Sequence, residues 1–155
     1  MEVRNNMPGF RLAVASALAV VVFLFLKAVV CGATLDSEEA ASKLAEQVMA
    51  KVGAGDLEGG LLIAKPYFVM PEAEVNVVIE QAKLQLPLLQ GRFGKMLGAE
   101  FVAERSLGKS LYQVLYLQKF EKHAMRWRFI FYSANGKWML DAMNFDDKIQ
   151  LLFGE

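Results

Sequence analysis

The chain has one cysteine, Cys31, and one histidine, His123, in 155 residues, and its charges cancel, 17 basic against 17 acidic. Each shortage excludes something. A single cysteine allows no internal disulfide and no zinc–thiolate set. A single imidazole without carboxylates at helical or hairpin spacing makes no metal site, so no metal and no cofactor is expected. His123 is the only side chain whose ordinary pKa lies near neutrality. It falls at an expected turn, which makes it a surface residue and not a general base, since a base must reach a substrate proton in a closed pocket. A net charge of zero, with a pI near 6.6, leaves no basic surface for phosphates, so nucleic acid is not an expected partner. A phosphate loop is missing as well. Gly91, Gly94 and Gly98 in "GRFGKMLG" match neither GxGxxG nor GxxxxGK[ST] and lead into a strand-like stretch, so this segment reads as a passage from helix to sheet.

What the chain has in excess is apolar, 55% of residues, and much of that lies in one run, "LAVASALAVVVFLFL", from Leu12 to Leu26. Arg4 and Arg11 precede it and the small residues "CGA" at 31–33 follow. Basic leader, apolar stretch and small residues form the secretory pattern, with Ala33 the last residue removed and Thr34 the first of the mature chain. An uncleaved anchor over 12–35, with Lys27 snorkelling to the interface, is the competing reading, and lipid attachment at Cys31 a third. The first two place the body of the protein outside the cytoplasm, because basic residues lie before the run and "DSEE" after it. Periplasmic or secreted localisation is therefore expected, and membrane attachment only if residues 12–35 stay uncleaved. Loss of 1–33 takes Arg4, Arg11, Lys27 and Glu2, leaving 14 basic and 16 acidic side chains and no cysteine.

Residues 34–155 are expected to form one domain. Asp36 and Glu39 have capping-box spacing, Ala41, Leu44, Ala45, Val48 and Val52 recur at helical intervals, and Gly53 supplies the end. Lys43, Glu46 and Lys51 fall on a solvated face. Asp56 caps a short second helix that Pro66 stops. Pro71 opens a third, whose stripe is Val75, Val78, Ile79, Ala82 and Leu86, with a kink or break expected at Pro87. From Ala99 the period changes: "AEFVAERSL", "LYQVLYLQKFE", "MRWRFIFYSA" and "KWMLDAMNF" read as four strands. Helices first and a meander after predict an α+β domain, helices packed on one face of an antiparallel sheet.

Asn135-Gly136 is the strongest hairpin signal, since a type I′ turn needs positive φ at both positions. It sets Ser133 opposite Trp138, Phe131 opposite Leu140, Phe129 opposite Ala142 and Trp127 opposite Asn144. A turn at His123-Ala124 sets Phe120 opposite Trp127, Gln118 opposite Phe129 and Tyr116 opposite Phe131. Both place the aromatic residues on one face, which should meet the helices. The other face carries Leu115, Leu117, Ile130, Tyr132, Met139 and Met143, too apolar for water alone, so a homodimer or a partner docked there is expected.

The segments "KVGAGDLEGG", "FGKMLG" and "FYSANGKWMLDAMNFDDKI", in a helix, helix, helix, four-strand order, resemble the nuclear transport factor 2-like (cystatin-like) superfold, and within it small exported bacterial members of unknown function. The resemblance implies a curved, cone-shaped sheet with the helices on its concave face and a cavity between them. Some relatives use that cavity for catalysis, as in ketosteroid isomerase and scytalone dehydratase, and others for binding. Inward titratable groups are few, so no catalytic residue is assigned. Tyr112, Tyr116, Gln118, Trp127 and Asn144 are the candidates to line a cavity for a small apolar ligand. The expected function is a non-catalytic exported domain that binds such a ligand or a protein partner. The alternatives are an isomerase- or dehydratase-like enzyme and a membrane-anchored assembly protein. Mass spectrometry of the exported protein is expected to find Thr34 at its N-terminus; an intact leader would establish the anchor instead.

Overall fold

The computed structural model describes residues 32–154; the apolar run at 12–26 and Cys31 lie outside them. Its elements are α1 (Glu38–Gly53), α2 (Leu57–Ala64), a 3-10 turn (Lys65–Tyr67), α3 (Glu72–Phe93), β1 (Met96–Leu107), β2 (Leu111–Phe120), β3 (Ala124–Ala134), β4 (Lys137–Asp146) and a second 3-10 turn (Ile149–Phe153). Three helices thus precede a curved, open antiparallel sheet of order β1-β2-β3-β4.

Helix α1 starts one residue later than the capping box suggested. Ser37 is the cap, its hydroxyl accepting from the Ala40 N–H at 3.1 Å. Asp36 instead pairs with Lys137 at the β3–β4 hairpin. The stripe Ala41, Leu44, Ala45, Val48 and Val52 is buried, with Met49 added. The left-handed residue beyond the helix is Gly55, φ +90°, and not Gly53. Gly53 is needed for another reason: a Cβ there would lie 2.8 Å from the Ala99 nitrogen, so its absence lets α1 touch β1. Asp56 caps α2 as expected, its Oδ1 accepting from the Gly59 N–H at 2.8 Å.

Helix α3 passes through Pro87 to Phe93 without the expected kink or break and takes in Gly91, expected in the loop between helix and sheet. Pro87 is exposed, so the carbonyl deprived of its N–H partner can be hydrated. Val75, Ile79 and Ala82 are buried, while Val78 is 38% exposed. The end of α3 is fixed by Phe93, which packs with Phe120 and Met125 in a small second cluster.

The sheet registers differ from expectation in two ways. The β3–β4 turn is at Asn135 and Gly136, φ +56° and +78°, and pairs Ser133 with Trp138 and Phe131 with Leu140. Past that point a bulge at Asp141 shifts the pairing, so that Phe129 meets Met143 and Trp127 meets Phe145. The β2–β3 turn is at Glu121-Lys122 and not His123-Ala124: the Phe120 N–H donates to the His123 carbonyl at 2.8 Å, and the Lys122 N–H to Phe93 at 3.0 Å. The end of α3 thereby selects the turn. Tyr116 faces Trp127 and Tyr112 faces Phe131, a register displaced by four residues from the expected one. Four is even, so every side chain keeps its face.

The inner face, with Tyr112, Val114, Tyr116, Trp127, Phe129, Phe131, Trp138 and Leu140, forms one buried cluster with residues of α1, α2 and α3. Leu35 exchanges backbone bonds with Trp138 at 2.8 and 2.9 Å, and the Ala33 N–H donates to Pro66. Thr34 and Leu35, the last residues of the anchor reading, thus belong to the folded domain. Gly53→Ala is expected to destabilise by about 1–3 kcal/mol, because a methyl group must displace backbone and not a flexible side chain. Urea unfolding measures it; no loss would mean that α1 and β1 can separate freely.

Candidate functional site

Of the five cavity candidates, two are sealed. Trp127 is 1% exposed. Its Nε1–H donates to Gln118 Oε1 at 2.9 Å, and its ring stacks on Phe145 at 4.7 Å. Gln118, equally buried, directs its Nε2 to the Met96 sulfur at 3.5 Å. Phe129 and Phe131 have no accessible surface. The centre of the aromatic face is therefore filled, and Trp127 closes the core.

Asn144 was placed inward by the uninterrupted register. The bulge at Asp141 turns it outward, opposite Arg128, where it is exposed. Met143 moves the other way: expected on the outer face, it packs against the core.

Tyr112 and Tyr116 lie where the inner face runs under α1. Glu38, Ser42 and Glu46 follow at four-residue steps on one side of that helix and face β1. The Ser106 hydroxyl donates to Glu38 at 2.9 Å. The Ser42 hydroxyl donates to Glu104 at 3.0 Å and the Tyr112 hydroxyl to the same carboxylate at 2.6 Å. Burial, and then the bond to Glu104, push the Tyr112 phenol up to about 12, so it stays protonated as a donor. Glu46 is exposed, as expected of the solvated face of α1, yet it also borders this seam; Glu104 carried no expectation. The i, i+4, i+8 spacing of Glu38, Ser42 and Glu46 is the signal that could have found this seam; the bulges in β1 hid its other half.

Farther along the seam the polar bridges stop and a groove opens. Its volume is about 530 Å³, and it is lined by Glu46, Met49, Ala50, Gly53 and Ala54 of α1, Ala99 and Phe101 of β1, and Tyr116 of β2. A second groove of about 470 Å³ shares Gly53 and Ala54 and continues past Gln90, Lys95, Met96 and Glu121. Phe101, 49% exposed, meets Tyr116 edge-on at 5.6 Å. Burial, then the carboxylates of Glu46 and Glu104, raise the Tyr116 phenol.

The outer face is less open than its composition suggested. Leu115 is buried and Leu117, Ile130 and Met139 are partly covered, while Tyr132 is exposed. Leu107, Leu111, Tyr132 and Met139 stand opposite one another in a row across all four strands. Toward the other end of that face Arg126 is paired with Asp146 at 2.9 Å. His123, expected on the surface, is partly buried, its ring 4.7 Å from that of Phe93 and its Nε2 3.3 Å from the Asp147 carbonyl. Among the described residues no group of acidic, histidine or cysteine side chains is placed to hold a metal, and no helix is long and apolar enough to cross a membrane.

Comparison with protein-family models, curated proteins and solved structures finds no match to this chain.

Burial pushes the Asp146 carboxyl up, but the Arg126 guanidinium and the Lys148 N–H outweigh it and hold it below the ordinary aspartate value. A depressed carboxylate stabilises the fold above its unfolded pKa and ceases to do so as pH falls through the folded one. Asp146→Asn is expected to cost about 1.5–3 kcal/mol near neutral pH, the range for a hydrogen bond to a charged group. The difference from the unaltered protein should vanish in acid, as urea unfolding at both pH values would record.

Proposed function

We propose that the protein is a non-catalytic exported domain of the nuclear transport factor 2-like superfold, its helices on the concave side of a cone-like sheet, that binds a small apolar ligand or a protein partner at its surface grooves. The observation carrying this reading is the sealed inner face, where Trp127 at 1% exposure and the Gln118 amide bonded to it occupy the place where a catalytic cavity would lie. The open volume is displaced to the α1–β1 seam. The carboxylates nearest that seam's tyrosines, apart from Glu46, are engaged with hydroxyls and do not form an acid/base pair across a closed pocket, which an isomerase or dehydratase would need. The helix order and the bridge from Phe68 to Leu140 of β4 support the superfold assignment, and the leader with its apolar run supports export.

A second reading, self-association through the outer face, has its own support in the row Leu107, Leu111, Tyr132 and Met139. Leu107 is 62% and Tyr132 42% exposed, so the row carries more apolar surface than a solvated strand end requires.

Amide NMR during titration with small apolar fragments is expected to shift the signals of Met49, Ala50, Ala99, Phe101 and Tyr116 while those of Phe129 and Phe131 stay fixed. Shifts centred on Trp127 would restore an interior cavity. In sedimentation, Tyr132→Lys is expected to convert a dimer to a monomer; an unaltered protein that is already monomeric when concentrated overturns the second reading.

A further inference from the structure

The groove beside Tyr116 has a chemical character that a purely apolar site would lack. Glu46 on its α1 wall makes no ion pair with any described residue. The Tyr116 side chain is 8% exposed, and its hydroxyl bonds to no described group. That hydroxyl keeps contact with solvent through the groove, so a group entering there can bond to it. The exposed Glu46 carboxylate lines that end of the groove and places negative charge there. The other walls include Met49, Ala50 and the half-exposed ring of Phe101, whose face attracts cations as well as apolar stems.

We propose that the groove between α1 and β1 is a binding site for an organic cation, an alkylammonium or guanidinium group on an apolar stem. The head group donates to the Glu46 carboxylate and to Tyr116 Oη, and the stem lies on Met49, Ala50 and Phe101. A volume of about 530 Å³ falls within the range of small-ligand sites, roughly 300–1,000 Å³. A negatively charged head would meet Glu46 without a compensating base, and a neutral one would leave the carboxylate's charge unused. The inference rests on the reading that this domain binds and does not catalyse, and it names what that groove selects.

Calorimetric titration of the full chain with n-hexylammonium, n-hexanol and n-hexanoate tests it. Hexylammonium is expected to bind at least about tenfold more tightly than hexanol, the discrimination that one charge-assisted hydrogen bond supplies, and hexanoate is expected not to saturate. Glu46→Gln should remove the preference while leaving the affinity for hexanol, Tyr116→Phe should weaken hexylammonium severalfold, and Glu74→Gln, on the exposed side of α3, should change nothing. Equal binding of hexylammonium and hexanol, or a preference that survives Glu46→Gln, overturns the cation site and leaves the binding reading intact. Failure of all three probes to bind overturns the cation site and the small-ligand half of the binding reading, leaving only a protein partner.

Discussion

The pleat of β3 places Met125, Trp127, Phe129, Phe131 and Ser133 on one side of the sheet, all of them buried, and the rest of the architecture follows from covering that side. Each large side chain so buried contributes about 1.5–3 kcal/mol. The cover must come close, and small residues permit it. Ala41 and Ala45 lie on the buried face of α1 with no accessible surface. Gly60 of α2 passes so near α1 that a Cβ would stand 2.9 Å from the Val48 carbonyl oxygen. Helix α3 contributes less. It gives Val75, Ile79 and Ala82 to the main cluster and is pinned at its far end by Phe93. Val77, Leu84 and Leu88 remain exposed.

Filling the aromatic face has a chemical consequence. A buried indole N–H needs an acceptor, and Gln118 provides it; the amide's other end then needs an acceptor of its own and finds the Met96 sulfur. Leaving such a group unmet costs about 1–3 kcal/mol, so the pair is complete only when both ends are satisfied. Gln118 and Trp127 look from their types like groups that orient a ligand, but their polar atoms are already occupied by the core. The polar groups still able to act on something outside lie on the edge of that core, where α1 parts from β1.

The fold was legible because its strongest signals are periodic. Helical spacing in α1, the Asp56 cap and the Asn135-Gly136 turn each specify local geometry, and the four strand runs fall within a few residues of the observed ones. The β2–β3 register could not be read, because the end of α3 selects its turn by a backbone bond to Phe93, a contact between distant residues. An even displacement spared the assignment of faces there. The bulge at Asp141 is odd in its effect and did not spare it, reversing Asn144 and Met143. That bulge had left a trace: Trp138 and Leu140 alternate in one phase, Met143 and Phe145 in the other. Of the candidate site, Tyr116 was legible as an inward aromatic, but Glu46, Phe101 and Glu104 were not, since strand β1 is bulged between Met96 and Gly98 and again between Phe101 and Ala103 and shows no clean alternation.

Those same irregularities decide what kind of occupant the seam can accept. Strand β1 ends the sheet, and an open edge invites another strand. On the opposite edge, β4 is bridged by Leu35 and Phe68. On β1 the two bulges interrupt the row of free N–H and C=O groups, and Glu100, Glu104 and Arg105 add charge, both of which discourage strand addition. Backbone pairing is thus opposed along the edge where the groove opens. The occupant proposed for the groove is therefore one held by side chains, between Glu46 and Phe101, and not by strand pairing, beside the point where Gly53 lets α1 approach Ala99.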